Sequence, residues 1–227
     1  MTTIKVPERY RTIQNKSKRY VGLMGLSVGK PNFENPHIMA SYCDFMQNNF
    51  LYGLFVIADF PKKYNIMAID GDSEKKAEER ARIAGDNMRN ALERITRDYP
   101  LVKVSMWRNH MDDKYIRNIK VLQEGYAADN GFRFSANELV NKFLSLPSNR
   151  VKWKTSEPPT DIAKNYLLDE LAGLLSIPCS IQLPVCEIYP GRNEVHERVQ
   201  NREFPFCRDL QIKDDRVFME AYYEPSD

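Results

Sequence analysis

The chain has 227 residues, 42% of them hydrophobic and 28% charged, and a formal net charge of +2. This composition suits a single soluble domain over residues 1–227, and the mild charge excludes a uniformly basic nucleic-acid binder, so any basic patch must be local. A polar start from Met1 to Tyr10, and no apolar run near the roughly 18 residues that a spanning helix needs, argue against a signal peptide or membrane span; a cytoplasmic protein is expected.

Cys43, Cys179, Cys186 and Cys207 lack C-x-x-C spacing, and His37, His110 and His196 are scattered. These spacings argue against a zinc or redox centre and predict reduced, mostly buried thiols.

In chain order, the first strong signal is the apolar run from Tyr20 to Leu26, which passes through Gly25 into Ser27, Gly29, Lys30 and Pro31. It predicts a buried strand breaking into a turn at Ser27, where a nucleophile would be exposed, Gly25 would leave room for substrate and freed amides could face an oxyanion. The same residues also suit a plain strand end whose serine satisfies the turn. Gly25-Leu26-Ser27-Val28-Gly29 matches the G-x-S-x-G elbow, and Ser27-Val28-Gly29-Lys30 matches S-x-x-K. The elbow needs an immediate helix, whereas Pro31 and Pro36 predict a loop, and the S-D-N and K-T-G partners of S-x-x-K are absent.

Pro36 to Phe50 reads as a helix carrying Ile38, Tyr42, Phe45 and Met46 on one side, and Leu51 to Asp59 as a strand buried on both faces. A right-handed β-α-β connection would bring both strand ends to the edge where open α/β sheets bind ligands. Ser73 to Asp98 reads as a long helix, N-capped by Ser73, with Ala77, Ala81, Ala84, Met88, Ala91 and Ile95 as its apolar stripe. On one flank Lys76, Arg80, Asn87 and Arg94 meet no acid from the helix itself; Lys75, Arg82 and Arg89 share their side with Glu79, Asp86 and Glu93.

Leu101 to Trp107 is predicted as a strand, Asp112 to Ala128 as a helix with Ile116, Ile119, Leu122 and Tyr126 inward, and Phe132 to Leu146 as a helix packed through Leu139, Phe143 and Leu146. Ser148 to Pro159 is a polar connection in which Trp153, among Arg150, Lys152 and Lys154, could anchor to the core or stack on a base. Thr160 is a candidate cap for a helix to Leu175 through Ile162, Leu167, Leu171 and Leu174; Tyr166 and Glu170 project from one face a turn apart. Ser180 to Tyr189 reads as a strand, irregular or at an edge near Pro184, with Val185, Glu187 and Tyr189 on one face. Asn193 to Asn201 reads as a short polar helix, and Val217 to Tyr223 as a closing strand or helix.

Taken together, Gly25-Leu26-Ser27 with Lys30 and Phe33, Tyr166 with Glu170, and Glu187-Ile188-Tyr189-Pro190 resemble the motifs of the cyclodipeptide synthase family, in its order and at about its spacing. Lys30 and Tyr189-Pro190 resemble the second of its two branches. The resemblance implies a Rossmann-like parallel sheet flanked by helices, similar to the catalytic domains of class I tyrosyl- and tryptophanyl-tRNA synthetases. It implies an aminoacyltransferase that joins the aminoacyl groups of two aminoacyl-tRNAs into a diketopiperazine, as a monomer or weak homodimer. No ATP, metal or other cofactor is implied, and the HIGH and KMSKS signatures are absent.

The resemblance further implies that Ser27 carries the first acyl group, Glu170 and Tyr166 hold its ammonium, and Tyr189 transfers a proton during ring closure. Gly25, Leu23 and Glu187 would shape the first aminoacyl pocket, where an acid favours a polar or cationic side chain unless it pairs with a cation such as Arg192. Lys76, Arg80, Arg94 and Arg89 would meet tRNA along the basic helix. Two other classes stay open: a serine hydrolase or esterase using Ser27 with His196, and a non-catalytic tRNA-binding relative.

Overall fold

The computed structural model describes residues 3–146, 159–189 and 194–224. In chain order the elements are β1 (Thr3–Lys5), α1 (Arg11–Asn15), β2 (Val21–Ser27), α2 (Pro31–Glu34), α3 (Pro36–Asn49), β3 (Tyr52–Ala58), α4 (Lys62–Asp70) and α5 (Glu74–Thr96). They continue with β4 (Val102–Met106), α6 (Asp113–Ala128), α7 (Asn130–Ser145), α8 (Thr160–Cys179), β5 (Val185–Tyr189), α9 (Glu194–Gln200), β6 (Arg216–Glu220) and β7 (Tyr222–Glu224).

The main sheet has five strands in the order β4-β3-β2-β5-β6, all parallel. From β2 the chain builds outward through β3 to β4, then returns to lay β5 against the other side of β2. The strand order therefore reverses between β2 and β5, and a parallel α/β sheet opens its ligand crevice at the carboxyl ends of the strands flanking such a reversal. Ser27 ends β2 and Tyr189 ends β5. Their ladder pairs Val21 with Val185 and Leu23 with Glu187, and stops there.

Alternation along the strands divides the core. Met24, Leu26, Phe55, Ile57, Cys186 and Ile188 face the cluster built on α3 and α5. Leu23, Val56 and Val185 face the opposite side, where Trp107 and Ile177 pack. Gly173 permits that second contact: a Cβ there would lie 1.8 Å from Trp107 Cζ2, so only glycine lets α8 settle on the indole. A third cluster joins α6, α7 and α8 through Tyr115, Leu122, Phe132, Val140 and Leu171.

Several expectations from the sequence need correction. Pro31 and Pro36 do not hold a loop; each is the first residue of a helix, where a missing N–H costs nothing, and the Asn35 side chain caps α3 by accepting from the His37 and Ile38 amides. Ser73 precedes α5 but makes no side-chain cap, and Thr160 is the first residue of α8 behind Pro159. The buried stripe of α5 is Ala77, Ala81, Gly85, Met88 and Leu92, leaving Ala91 exposed. Ile116, Phe143 and Leu146 are exposed, while Tyr115, Asn118, Leu122 and Gly125 of α6, and Phe132, Ser135, Ala136, Val140 and Leu144 of α7, turn inward. The apolar residues were sound guides to helix, but the packing face is set by what α8 and the Phe204–Phe206 rings can accept.

The predicted strand from 180 begins only at Val185, after Pro184, and β5 is interior rather than an edge. Helix α8 runs to Cys179 with Pro178 inside its last turn. The closing segment is two strands, of which β7 pairs antiparallel with β1. The segment from Ser148 to Pro158, with Trp153 and its neighbouring cations, lies outside the described residues, as do Pro190 and Arg192.

Candidate active site

Ser27, where the β2–β3 ladder ends opposite Ala58, opens onto a cavity of about 290 Å³. Lys30, Lys62, Tyr64, Asn65 and Tyr166 are among its walls. The Ser27 carbonyl accepts from the Lys30 amide across a turn at 3.4 Å, and Gly29 takes a φ of 81°, a left-handed conformation that a side chain would strain. Neither the Val28 nor the Gly29 amide donates a hydrogen bond among the described residues, which leaves both beside the serine for a developing oxyanion.

Helix α8 supplies the opposite wall. Tyr166 Oη donates to Glu170 Oε1 at 3.2 Å. Burial raises the Glu170 carboxyl to about 7, against the smaller opposing effects of the Tyr166 hydrogen bond and the Lys30 charge. The Tyr189 phenol is pushed upward first by the Glu170 charge and then by burial. Glu170 thus stands electrostatically between the tyrosine of α8 and the tyrosine of β5, with no strong cation pair to satisfy it among the described residues. Such a carboxylate rewards an arriving ammonium group.

A second, small cavity of about 20 Å³ lies on the same sheet face, between β2, β5 and α8. Leu23, Gly25, Trp107, Glu187 and Tyr189 line it, and a Cβ on Gly25 would meet nothing within 4 Å. The sequence-predicted residues therefore fall into two adjoining groups, Ser27 with Tyr166 and Leu23, Gly25, Glu187 with Tyr189, bridged by Glu170. Arg192, named as a candidate cation for Glu187, lies outside the described residues; Glu187 Oε2 accepts from Arg216 Nη2 at 2.9 Å and from Gln200 Nε2 at 3.3 Å. Burial raises its carboxyl to about 6, with Arg216 opposing.

His196 is committed here too. Its Nε2 lies 2.8 Å from Arg216 Nη2 and 2.9 Å from Gln200 Nε2, and burial beside Arg216 holds it well below its usual pKa. It is a buried neutral partner of the Glu187 pair, which removes the histidine that a serine-hydrolase triad would need.

The basic helix is less free than its own sequence suggests. Lys76 pairs with Asp72 at 2.7 Å, and Arg80 with Asp70 at 2.7 Å and Asp72 at 2.5 Å. Asp70 ends α4 and Asp72 lies in the turn before α5, so the acid-free flank predicted from helical spacing is neutralised at Lys76 and Arg80 from outside the helix. Arg89 stands within 3.7 Å of Asp86 and 3.8 Å of Glu93. Arg94 differs: it borders a groove of about 640 Å³ that shares Val28, Gly29 and Lys62 with the surroundings of Ser27.

Sequence reasoning missed α4 altogether. Pro61 before it and Gly71 after it, the latter left-handed at φ 70°, are the punctuation that could have revealed it. Tyr64 from α4 and Tyr115 from α6 both donate to the buried Asp169, the latter at 2.5 Å, and the Tyr64 ring meets Tyr166 edge-on at 6.4 Å. This network fixes the face of α8 that carries Tyr166 and Glu170, and no local pattern in the sequence announces it.

The cyclodipeptide synthase family model matches residues 8–211. The chain belongs to the cyclodipeptide synthase family. Among solved structures, a cyclodipeptide synthase from Fluoribacter dumoffii superposes with a TM-score of 0.83 at 15% identity, covering 100% of both chains. One from Candidatus Glomeribacter gigasporarum, bound to Phe-tRNAPhe, gives 0.64 at 15% identity over 96% of this chain and 94% of that one. Tyrosyl-tRNA synthetase from Archaeoglobus fulgidus, complexed with L-tyrosine, gives 0.57 at 10% identity over 95% of this chain and 59% of that one. The fold is thus the Rossmann-like one that cyclodipeptide synthases share with class I synthetases, as their residues predicted. No curated protein matches the chain by sequence. Among the described residues no helix is long and apolar enough to cross a membrane.

Proposed function

We propose that this chain is a tRNA-dependent cyclodipeptide synthase, an aminoacyltransferase of the family branch with Lys30 and Tyr189-Pro190, working through an acyl-enzyme on Ser27. The observation that carries the reading is the convergence of Ser27, Tyr166, Glu170 and Tyr189 at the reversal of strand order, with free amides beside the serine and an acid lacking a firm cation partner. Family membership and the neighbour solved with Phe-tRNAPhe support aminoacyl-tRNA as substrate.

Ser27 Oγ attacks the ester carbonyl of the first aminoacyl-tRNA; the ribose oxygen leaves with a proton and a seryl ester remains. Glu170 and Tyr166 hold the ammonium of that acyl group. The amine of the second aminoacyl-tRNA then displaces Ser27 Oγ, forming a peptide bond, and the first amino group displaces the remaining ester to close the ring. Tyr189 shuttles a proton in that last step. An activated ester as substrate explains how a serine without a histidine partner suffices. Arg94 guides the acceptor end of tRNA along the groove beside α5 toward Ser27.

The test is Ser27→Ala, with mass spectrometry of cyclic dipeptides from a bacterium expressing either form and intact-mass detection of the acylated protein. Loss of product and of the adduct, with tRNA affinity nearly unchanged, is the expected result. Product formation by Ser27→Ala would remove the acyl-enzyme, and absence of any product from the soluble native protein would refute the synthase reading.

A further inference from the structure

The small cavity beside Tyr189 contains a chemical asymmetry. Leu23, Val56, Leu174 and the Trp107 ring make it largely apolar, yet Glu187 also lines it, with a side chain only 6% exposed, and the Trp107 Nε1–H is buried without an acceptor among the described residues. Glu187 Oε2 is occupied by Arg216 and Gln200; Oε1 is buried with no hydrogen-bond partner among the described residues. A carboxylate oxygen so placed bears the full loss of its hydration until a donor reaches it.

Three kinds of side chain could enter. An aliphatic one would leave Oε1 orphaned, and sites built around a hydrogen bond reject ligands that cannot make it. A cationic one would be the second cation on a carboxylate already matched at 2.9 Å by Arg216, whose Nε and Nη1 themselves lack acceptors among the described residues. The neutral His196 ring adds no balancing charge. A neutral donor satisfies Oε1 without a net charge in a desolvated site. The volume, about 20 Å³, is near that of one water-sized probe and leaves space for a short group only.

We propose that this cavity receives the side chain of the first aminoacyl group and selects a short uncharged one that donates a hydrogen bond to Glu187 Oε1, the chemistry of serine, threonine or asparagine. The assignment rests on the synthase reading above, and it narrows the sequence expectation of a polar or cationic side chain, because Arg216 already supplies the cation.

The experiment uses the purified full chain with a mixture of bacterial aminoacyl-tRNAs. Intact mass identifies the group on the protein, and cyclic dipeptides are identified in parallel. The native protein, Glu187→Gln, and the double variant Glu187→Leu with Arg216→Met, which removes the pair without orphaning the arginine, are compared. The native adduct is expected to be seryl, threonyl or asparaginyl. The double variant shifts the ratio of these to aliphatic adducts by about a hundredfold, and Glu187→Gln, which keeps the shape of the site, by about tenfold. An aliphatic, aromatic or cationic adduct on the native protein overturns the proposal while leaving the synthase reading intact. So does an unchanged preference in Glu187→Gln, even if the double variant fails to fold. Absence of both adduct and cyclic dipeptide from the native protein overturns the synthase reading and this one with it.

Discussion

Replacing Glu170 by glutamine should make the protein more stable above neutral pH while disabling it. Burial raises the Glu170 carboxyl from 4.5 to about 7, so the folded chain retains a proton that the unfolded chain has lost across that interval. The stabilising contribution of the protonated carboxyl is fully present below about 4.5 and is lost as pH rises through about 7. A shift of about 2.5 units at about 1.36 kcal/mol each corresponds to about 3 kcal/mol at pH 8 and less than about 1 kcal/mol at pH 5. Glutamine keeps an acceptor for Tyr166 Oη but never ionises. Urea unfolding of both forms at pH 5 and pH 8, followed by circular dichroism, isolates this group because other titrations cancel in the difference. The stability advantage of Glu170→Gln should grow by about 2.5 kcal/mol between those pH values. Product formation should fall by about a hundredfold or more, since the charge that holds the ammonium is gone. A stability difference that is the same at both pH values would refute the buried-carboxylate argument, and with it the reason for placing an ammonium there.

Two glycines on the sheet-to-α8 side make opposite predictions. Gly173→Ala drives a methyl to 1.8 Å from Trp107 Cζ2 and should cost about 2–3 kcal/mol in denaturant unfolding, whereas Gly25→Val meets nothing within 4 Å of its Cβ and should unfold normally while losing product. Equal destabilisation by both would remove Gly25 as an open wall. For tRNA, Arg94→Ala should weaken binding and lower the salt slope by about 1, more than Lys76→Ala, because Asp72 already neutralises Lys76. Asp72→Asn, by releasing Lys76 and removing one of the two acids on Arg80, should strengthen binding in a salt titration; a Lys76→Ala loss equal to that of Arg94→Ala would refute the ranking.

Much of the fold is local in origin and therefore legible in the chain itself. The apolar runs of β2 and β3 are strands because they must be buried on both faces, and the periodic alanines of α5 announce a helix whatever lies beneath it. The place of Ser27 at a strand end, of Tyr166 and Glu170 a turn apart and of Glu187 and Tyr189 on one face follows from strand and helix periodicity, while their grouping into one site came from the family resemblance. Which face of α6 or α7 turns inward does not, because Ile116 and Phe143 are as apolar as their buried neighbours and only the assembled surface of α8 with Phe204 and Phe206 chooses between them.

Ion pairing is likewise decided by distant chain. Helical spacing sorts the cations of α5 correctly, yet Asp70 from the end of α4 and Asp72 from the following turn cancel two of them. Arg216 lies 29 residues beyond Glu187 and is brought beside it by the pairing of β5 with β6. Tyr64 and Tyr115 reach Asp169 from two other helices. Most of the longer elements, though not α4, were legible in the chain, as were the motifs and the family they resemble, since each depends on residues near one another in the chain. Tertiary structure alone decided which charges remain available, which carboxylate oxygen is left unsatisfied and how α8 is held over Ser27, because those depend on desolvation and on partners that only the assembled sheet brings within reach.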